Sequence, residues 1–198
     1  TLAGHANRGS VDGPSLEARF LLPTNVAADA SGNLYITDTG NHTVRRISVG
    51  GIVTTLAGSA GIEGADDGFG DAARFDHPTG IAIDQAGIIY VADSGNDAIR
   101  RISPDGEVTT IAGKLGEPGA FDGQGNAARF NNPQGVAVGP AGQVVVADTW
   151  NHCIRQISPT GEVTTIAGTL GQSGSNDGPN STARFLRPMG VAVDTAGT

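Results

Sequence analysis

The sequence predicts an all-β fold of four-stranded antiparallel blades, and three observations support this. One pattern, T-[LI]-A-G … D-G … A-R-F … P … A-D-[TS]-x-N, recurs every 55 residues along the chain. Each copy holds four short β-branched runs between turns rich in Gly, Pro, Asp and Asn. No stretch has the 3.6-residue apolar period of a helix. A fixed period indicates one supersecondary unit stacked several times, and four antiparallel strands per unit are typical of a β-propeller.

The second copy illustrates the four predicted strands, at residues 80–84, 88–92, 98–103 and 107–112. The first strand carries small residues, as expected for the innermost strand, where blades converge. The second is apolar at nearly every position, which is typical of a strand covered on both faces. A parallel β-helix is the rival fold, but its coils lack these hairpin turns.

Three complete copies, at residues 23–58, 78–113 and 133–168, predict three blades. Residues 1–4 match the end of a preceding blade, and residues 188–194 match the first strand of a further one. Known closed propellers have at least four blades, so three blades and two partial ones are expected to form an open segment of a ring. Either the remaining blades follow in a longer protein, or a second chain completes the ring. We favour the first, because the chain begins inside a repeat.

The unit resembles the NHL repeat in its motif P-x-G-[VI]-A-[VI]-D-x-x-G … V-A-D-[TS]-x-N-[HD]-x-I-R-x-I-S-P-x-G. Copies two and three match throughout, while the first has Asn25 for the usual Gly and lacks S-P-x-G. The resemblance implies a propeller that serves either as a binding module or as a lyase or hydrolase. The repeats are also similar to those of bacterial secreted and surface proteins, which implies an extracellular or cell-surface setting.

Composition excludes several classes of partner. The formal net charge is −8 and Lys114 is the one lysine, so the cationic surface that nucleic-acid binding needs is missing. Anionic lipid would repel such a chain, and no apolar run approaches the ~20 residues of a spanning helix, so membrane insertion is not expected. Cys153 is the single cysteine, and we expect a half-buried strand position for it rather than a reactive thiol.

Polar residues that recur in every copy are expected to build the blade. Asp and Asn side chains stabilise tight turns by accepting hydrogen bonds from nearby backbone N–H groups. Asp–Arg pairs are expected to lock the long loops. The alternative for the D-G carboxylates is a ring that binds calcium. The predicted structural set is Asp38, Asp93 and Asp148, Asn41, Asn96 and Asn151, and, from the A-R-F motif, Arg19, Arg74, Arg129 and Arg184, which the D-G residues Asp12, Asp67, Asp122 and Asp177 accompany.

Residues that break the repeat are better candidates for a site. Trp150 replaces Gly40 and Gly95 on a turn that strand parity places at the same edge as the long connections between copies. Binding residues concentrate on long loops, and an exposed indole marks a contact with a peptide, a sugar or another chain. Phe121 also departs from its counterparts and is expected nearby. The alternative is that Trp150 packs over its own loop.

His42 and His152 share one repeat position, with Asp97 between them, and complete the candidate ligand-binding set. In some NHL lyases, histidines that project into the channel bind zinc. A catalytic zinc has three protein ligands, and no convincing third one accompanies these two, since His77 stands at a variable position. We therefore expect ordinary turn residues and no cofactor, with calcium and zinc as the alternatives.

The chain has no G-x-S-x-G, no H-E-x-x-H and no phosphate-binding loop. The sequence thus favours a non-enzymatic recognition or scaffold module that binds a protein, peptide or glycan at the long-loop edge of a larger assembly. The alternative function is a metal-assisted lyase or hydrolase with its site at the channel mouth.

Overall fold

The computed structural model describes residues 1–197, and the strands among them form three antiparallel sheets. In chain order they are β1 (Gly13–Pro14), β2 (Pro23–Ala28), β3 (Leu34–Asp38), β4 (Thr43–Ile47), β5 (Ile52–Ala57), β6 (Gly68–Phe69), β7 (Pro78–Ile83), β8 (Ile89–Asp93), β9 (Ala98–Ile102), β10 (Glu107–Ala112), β11 (Gly123–Gln124), β12 (Pro133–Val138), β13 (Val144–Asp148), β14 (Cys153–Ile157) and β15 (Glu162–Ala167). Single-turn 3-10 helices lie at Thr39–Asn41, Gly70–Ala72, Ser94–Asn96, Gly125–Ala127 and Thr149–Asn151. No helix in the described part of the chain has the length and apolar character needed to cross a bilayer.

Each sheet has five strands, so the prediction of four-stranded blades was wrong by one strand. The sheets have the orders β1-β5-β4-β3-β2, β6-β10-β9-β8-β7 and β11-β15-β14-β13-β12, and we call them blades 1, 2 and 3. The additional strand has two residues and comes from the long connection that precedes the blade, as in the pairing of Gly13 with Val53. It covers backbone groups at the outer edge of the fourth strand, which would otherwise be open to pairing with another chain.

The turn between the second and third strands of each blade is a 3-10 turn closed by a residue in the left-handed conformation. His42, Asp97 and His152 occupy this position with φ of 58°, 54° and 58°. The backbone N–H of each donates to the residue three positions earlier, as His42 does to the Thr39 carbonyl at 3.2 Å. Asp and His are among the residue types that tolerate this conformation, which explains their presence at the position.

The hydrophobic core lies between adjacent blades. Between blades 1 and 2 it is formed by residues such as Val44, Phe75 and Val91, all fully buried, and an equivalent cluster lies between blades 2 and 3. At the innermost strands the backbones meet closely, since a Cβ atom added to Gly80 would lie 2.5 Å from the carbonyl oxygen of Gln134. The small residues of the first strand therefore allow the blades to converge.

The terminal segments do not form strands in the described residues. Residues 188–194 lie beside β12, because a Cβ on Gly135 would meet the Met189 carbonyl at 2.5 Å. They carry no strand assignment in the described part of the chain, and the first strand of a further blade at residues 188–194 stays a prediction. At the other end, the Gly4 N–H donates to Ser15 at 2.7 Å. Apolar side chains such as Val26 and Met189 are exposed at the two ends of the array.

Candidate functional site

The long connections and the 3-10 turns lie together at one edge of the blades, which we call the long-loop edge. The Asn41 side chain donates to the Gly9 carbonyl at 2.7 Å, and the Asn41 carbonyl accepts the Gly61 N–H at 3.1 Å. Asn96 and Asn151 make the same side-chain bond to Gly64 and Gly119. The carbonyl groups of Asn96 and Asn151 accept the N–H groups of Gly116 and Gly171, so each turn is joined both to the connection before its blade and to the one after it.

A buried carboxylate holds each turn in place. Asp93 is fully buried and accepts hydrogen bonds from the Asp76 N–H at 2.7 Å, from the Asn96 amide at 2.8 Å and from Arg100 at 2.6 Å. Burial raises the pKa of Asp93 to about 6, against the opposing effect of Arg100. Burial also raises the pKa of its counterparts Asp38 and Asp148. In the structure these residues serve to build the blade.

The D-G carboxylates Asp12, Asp67 and Asp122 pair with a buried arginine of the third strand, and not with the arginine of A-R-F as the sequence suggested. Arg45 is fully buried and donates to both Asp12 and Asp38, at 2.5 and 2.8 Å, with its guanidinium 5.0 Å from the Phe20 ring centroid. Arg100 and Arg155 repeat this arrangement. Sequence reasoning missed these three residues, although each lies seven residues after the buried Asp.

The arginines of A-R-F have a more local role. Arg129 donates to the carbonyl groups of Asn126 and Ala128 at 2.7 and 2.9 Å, and Arg74 and Arg184 bind their own loops in the same way. They fold the connection onto itself, whereas the buried Arg of the third strand fastens that connection to the sheet.

Trp150 lies at the long-loop edge with 51% of its surface exposed. The Arg187 guanidinium lies 4.9 Å from its ring centroid, so the indole packs against the segment after blade 3. Its counterpart Gly95 has no room for a side chain, because an added Cβ would collide with the Asp76 side chain and lie 2.8 Å from its carbonyl oxygen. Asn131 takes the place of Asp76 at the Trp150 turn, where its carbonyl accepts the Trp150 N–H at 3.1 Å.

The other candidate residues do not form one site. Phe121 is 65% exposed, and no aromatic contact joins its ring to Trp150 among residues 1–197. His42, Asp97 and His152 lie at three successive blade boundaries, where each accepts the N–H of the residue before a proline, as Asp97 does from Asn132 at 2.7 Å. This shared contact is part of blade packing.

One boundary carries a group of side chains that the sequence did not predict as a site. Between blades 1 and 2, one ligand atom from each of His42, Glu63, Asp76 and His77 lies within 4.8 Å of the others. The Asp76 carboxylate is 2.6 Å from His77 Nδ1 and 3.6 Å from His42 Nδ1, and the two imidazole rings are in edge contact at 4.6 Å. Burial and the neighbouring His77 lower the pKa of His42. Among residues 1–197 this is the only group of three or more potential metal ligands that lie so close together.

Concave surface lies at the opposite edge, where the short turns are. One shallow groove runs between Asp84, Pro140 and Val193, and another between Asp29 and Gln85. Each separates the short turns of neighbouring blades and contains none of the candidate ligand-binding residues. Cys153 is fully buried, deeper than the half-buried position expected, and burial raises the pKa of its thiol to about 12, so it is not a nucleophile.

Three antiparallel sheets arranged side by side around their first strands define an all-β protein with propeller-type blades. The family model of the NHL repeat matches residues 20–47, 75–102 and 130–157. The chain therefore carries three NHL repeats and belongs to the NHL-repeat proteins. Each match begins at the Phe of A-R-F and ends at the third strand of a blade.

Known proteins share this fold over most of the chain. NHL repeat-containing protein 2 of Bos taurus is 34% identical over 152 residues, which are 70% of this chain and 21% of that protein. An auxiliary nutrient binding protein from Bacteroides thetaiotaomicron has a TM-score of 0.66 and 25% identity, over 84% of this chain and 41% of that one. Virginiamycin B lyase from Staphylococcus aureus has a TM-score of 0.59 over 88% of this chain and 46% of that one, at 16% identity, which shows the fold alone. The chain spans less than half the length of each.

Proposed function

We propose that this chain is a recognition module of a larger propeller protein and binds a protein, peptide or glycan at the long-loop edge around Trp150. The observation that carries the proposal is the half-exposed indole stacked with Arg187. Tryptophan and arginine are enriched among the residues that contribute most to binding energy. The auxiliary nutrient binding protein of Bacteroides thetaiotaomicron has a similar fold, which supports ligand binding by this architecture. We also propose an extracellular or cell-surface location, on the single lysine and the resemblance of the repeats.

The contact between Trp150 and Arg187 has no counterpart at the turns of blades 1 and 2. Asn131 lies beside the Trp150 turn where Asp76 lies beside Gly95, and Gly40 and Gly95 occupy the other two turns. Blade construction alone does not need an indole here, because blades 1 and 2 form the same turn without one. A planar sugar face or an aromatic or cationic peptide side chain has the chemistry to stack against it.

Trp150→Ala tests the proposal. A glycan array and a displayed peptide library would supply a ligand, and binding to the native chain and to each variant would be measured by isothermal titration calorimetry, because Trp150→Ala removes the single tryptophan. We expect the variant to lose at least about tenfold in affinity, while unfolding changes by no more than about 1 kcal/mol, the size of an exposed cation–π contact. Phe69→Ala is the matched control, since Phe69 is an equally exposed aromatic (55%) on a short edge strand. Equal losses in both variants, or a large loss of stability in Trp150→Ala, would contradict the proposal.

A second candidate function is a metal-assisted lyase or hydrolase. It is favoured by the group of His42, Glu63, Asp76 and His77, which are metal-ligand types at the same edge. Lyase or hydrolase turnover that needs a divalent ion and is unaffected by Trp150→Ala would support this candidate over recognition.

A further inference from the structure

We propose that His42, Glu63, Asp76 and His77 bind one divalent transition-metal ion of the zinc class, which fastens blade 1 to blade 2 at the long-loop edge. His42 closes the 3-10 turn of blade 1, whereas Asp76 and His77 directly precede the first strand of blade 2. Glu63 belongs to the connection between the two blades. One ion bound to all four would join three segments that backbone hydrogen bonds connect only in pairs. The inference goes beyond ligand recognition at Trp150 and does not depend on it.

The donor set has the composition that zinc-class ions select. Two imidazole nitrogens and two carboxylate oxygens are ordinary zinc ligands, whereas calcium and magnesium prefer oxygen alone. The four donor atoms lie within 4.8 Å of one another. The ligand atoms of a tetrahedral ion with bonds of about 2.0 Å are separated by about 3.3 Å. Side-chain rotations that move the donor atoms by roughly 1 Å therefore complete the site. The two carboxylates supply the charge that balances a divalent cation.

Blade construction does not account for the group. Of the four ligand positions, the one whose side-chain contact recurs at all three boundaries is the residue that closes the turn: His42 Nδ1 accepts the His77 N–H at 3.2 Å, just as His152 Nδ1 accepts the Arg187 N–H at 3.2 Å. This hydrogen bond explains His42 without a metal, but it does not explain the other three ligands. The other three ligands have no metal-binding counterparts at the boundary between blades 2 and 3, where Pro118, Asn131 and Asn132 replace them.

The exposed fractions of the ligand side chains are those expected of a site that is open to solvent on one side and closed by a buried residue on the other. The side chains of His77, Asp76 and His42 are 57%, 27% and 11% exposed. His77 and Glu63 lie on the solvent side, while His42 forms the floor of the site. A metal can thus reach the group without local unfolding of either blade.

The chain itself provides the variant that tests the site. The double variant Asp76→Asn, His77→Asn copies the Asn131–Asn132 pair, which this protein already folds at its next boundary. Asn at position 77 keeps a residue type that tolerates φ near 47°. His152→Ala is the control, because it removes the histidine with the same backbone contact at a boundary that lacks the other ligands.

Tag-free protein would be dialysed against a chelator and titrated with Zn²⁺ by calorimetry, with melting followed in parallel. We expect one equivalent of Zn²⁺ to bind the native chain and His152→Ala equally, and to raise both melting temperatures. The double variant should bind at least about 100-fold more weakly, because even outer-shell changes at metal sites cost about 10–100-fold. It should also melt at an unchanged temperature when Zn²⁺ is added. Equal Zn²⁺ affinity in the double variant and the native chain, or no stoichiometric binding to the native chain, would overturn the proposal.

Discussion

The close approach of the first strands predicts how the blades respond to one added methyl group. In Gly80→Ala the new Cβ would lie 2.5 Å from the Gln134 carbonyl oxygen, 2.9 Å from the Val136 nitrogen and 3.0 Å from the Gly135 Cα. Ordinary non-bonded contacts lie at roughly 3.5 Å, so blades 2 and 3 must separate by close to 1 Å. All three contacting atoms are backbone atoms of a paired strand and cannot rotate away.

The magnitude follows from two opposing terms. Overpacking of a well-packed core costs typically about 1–3 kcal/mol. Replacing Gly by Ala gains about 0.4–1 kcal/mol through the unfolded chain. We therefore expect Gly80→Ala to lower the free energy of unfolding by about 1–2 kcal/mol, or the melting temperature by roughly 2–8 °C for a chain of this size. Urea unfolding followed by circular dichroism would measure it.

The fourth copy of the repeat supplies the control. Gly190 occupies the same repeat position, and an added Cβ there meets nothing within 4 Å. Gly190→Ala keeps only the unfolded-state term, so its stability should be unchanged or slightly higher. Gly135→Ala should fall between the two, because its contact, the Met189 carbonyl, belongs to a segment outside the sheets. The same loss in Gly190→Ala as in Gly80→Ala would refute the packing argument.

Three further predictions concern the buried polar groups and the thiol. Arg100→Met leaves the buried Asp93 carboxylate without its cation, so urea unfolding should show a loss of about 3–5 kcal/mol, and a loss below about 1 kcal/mol would contradict the role of the pair. Burial raises the pKa of native Asp93 to about 6. Between about pH 4 and 6, Asp93 is therefore protonated in the native chain and ionised in the unfolded chain. The free energy of unfolding should therefore fall as pH rises through this window, with Asp93 contributing up to about 3 kcal/mol. Asp93→Asn should make the slope shallower while Asp38 and Asp148 still contribute to it, and an identical pH profile in the variant would contradict the shift. Iodoacetamide at pH 8 should leave native Cys153 unmodified yet label the guanidinium-unfolded chain to one equivalent, and rapid native labelling would show the thiol to be accessible.

The 55-residue period was sufficient to predict most of the fold. It located the four main strands of each blade, because each is a β-branched run with turn residues at both ends. The fifth strand could not be predicted in this way. Its two-residue segments, such as Gly13–Pro14 and Gly68–Phe69, are too short to show alternation and each contains a Gly, so their pairing with the open edge of the fourth strand appears only in the fold.

The buried arginines show a different limit. Arg45, Arg100 and Arg155 recur at one position of a strand that otherwise predicts a half-exposed β-segment. A guanidinium in a strand is ordinarily solvated, and its burial here depends on carboxylates that lie 7 and 33 residues away in sequence. The fixed spacing from Asp38 to Arg45 was the available signal. Only the fold shows that the D-G carboxylate comes to the same guanidinium.

Equivalent positions of the repeat do not separate structural from functional residues where two blades meet. Aligning copies compares equivalent positions within one unit, whereas a site between two units combines different positions from each. His42 and His77 are 35 residues apart and never fall in the same column of the repeat, yet the blade boundary brings the backbone of one to the imidazole of the other at 3.2 Å. In a propeller, departures from the repeat should therefore be compared across each boundary, where Asp76 and His77 meet His42, rather than down each column. Applied to the boundary after blade 3, the same comparison pairs Trp150 with Arg187, another place where the chain departs from its own pattern.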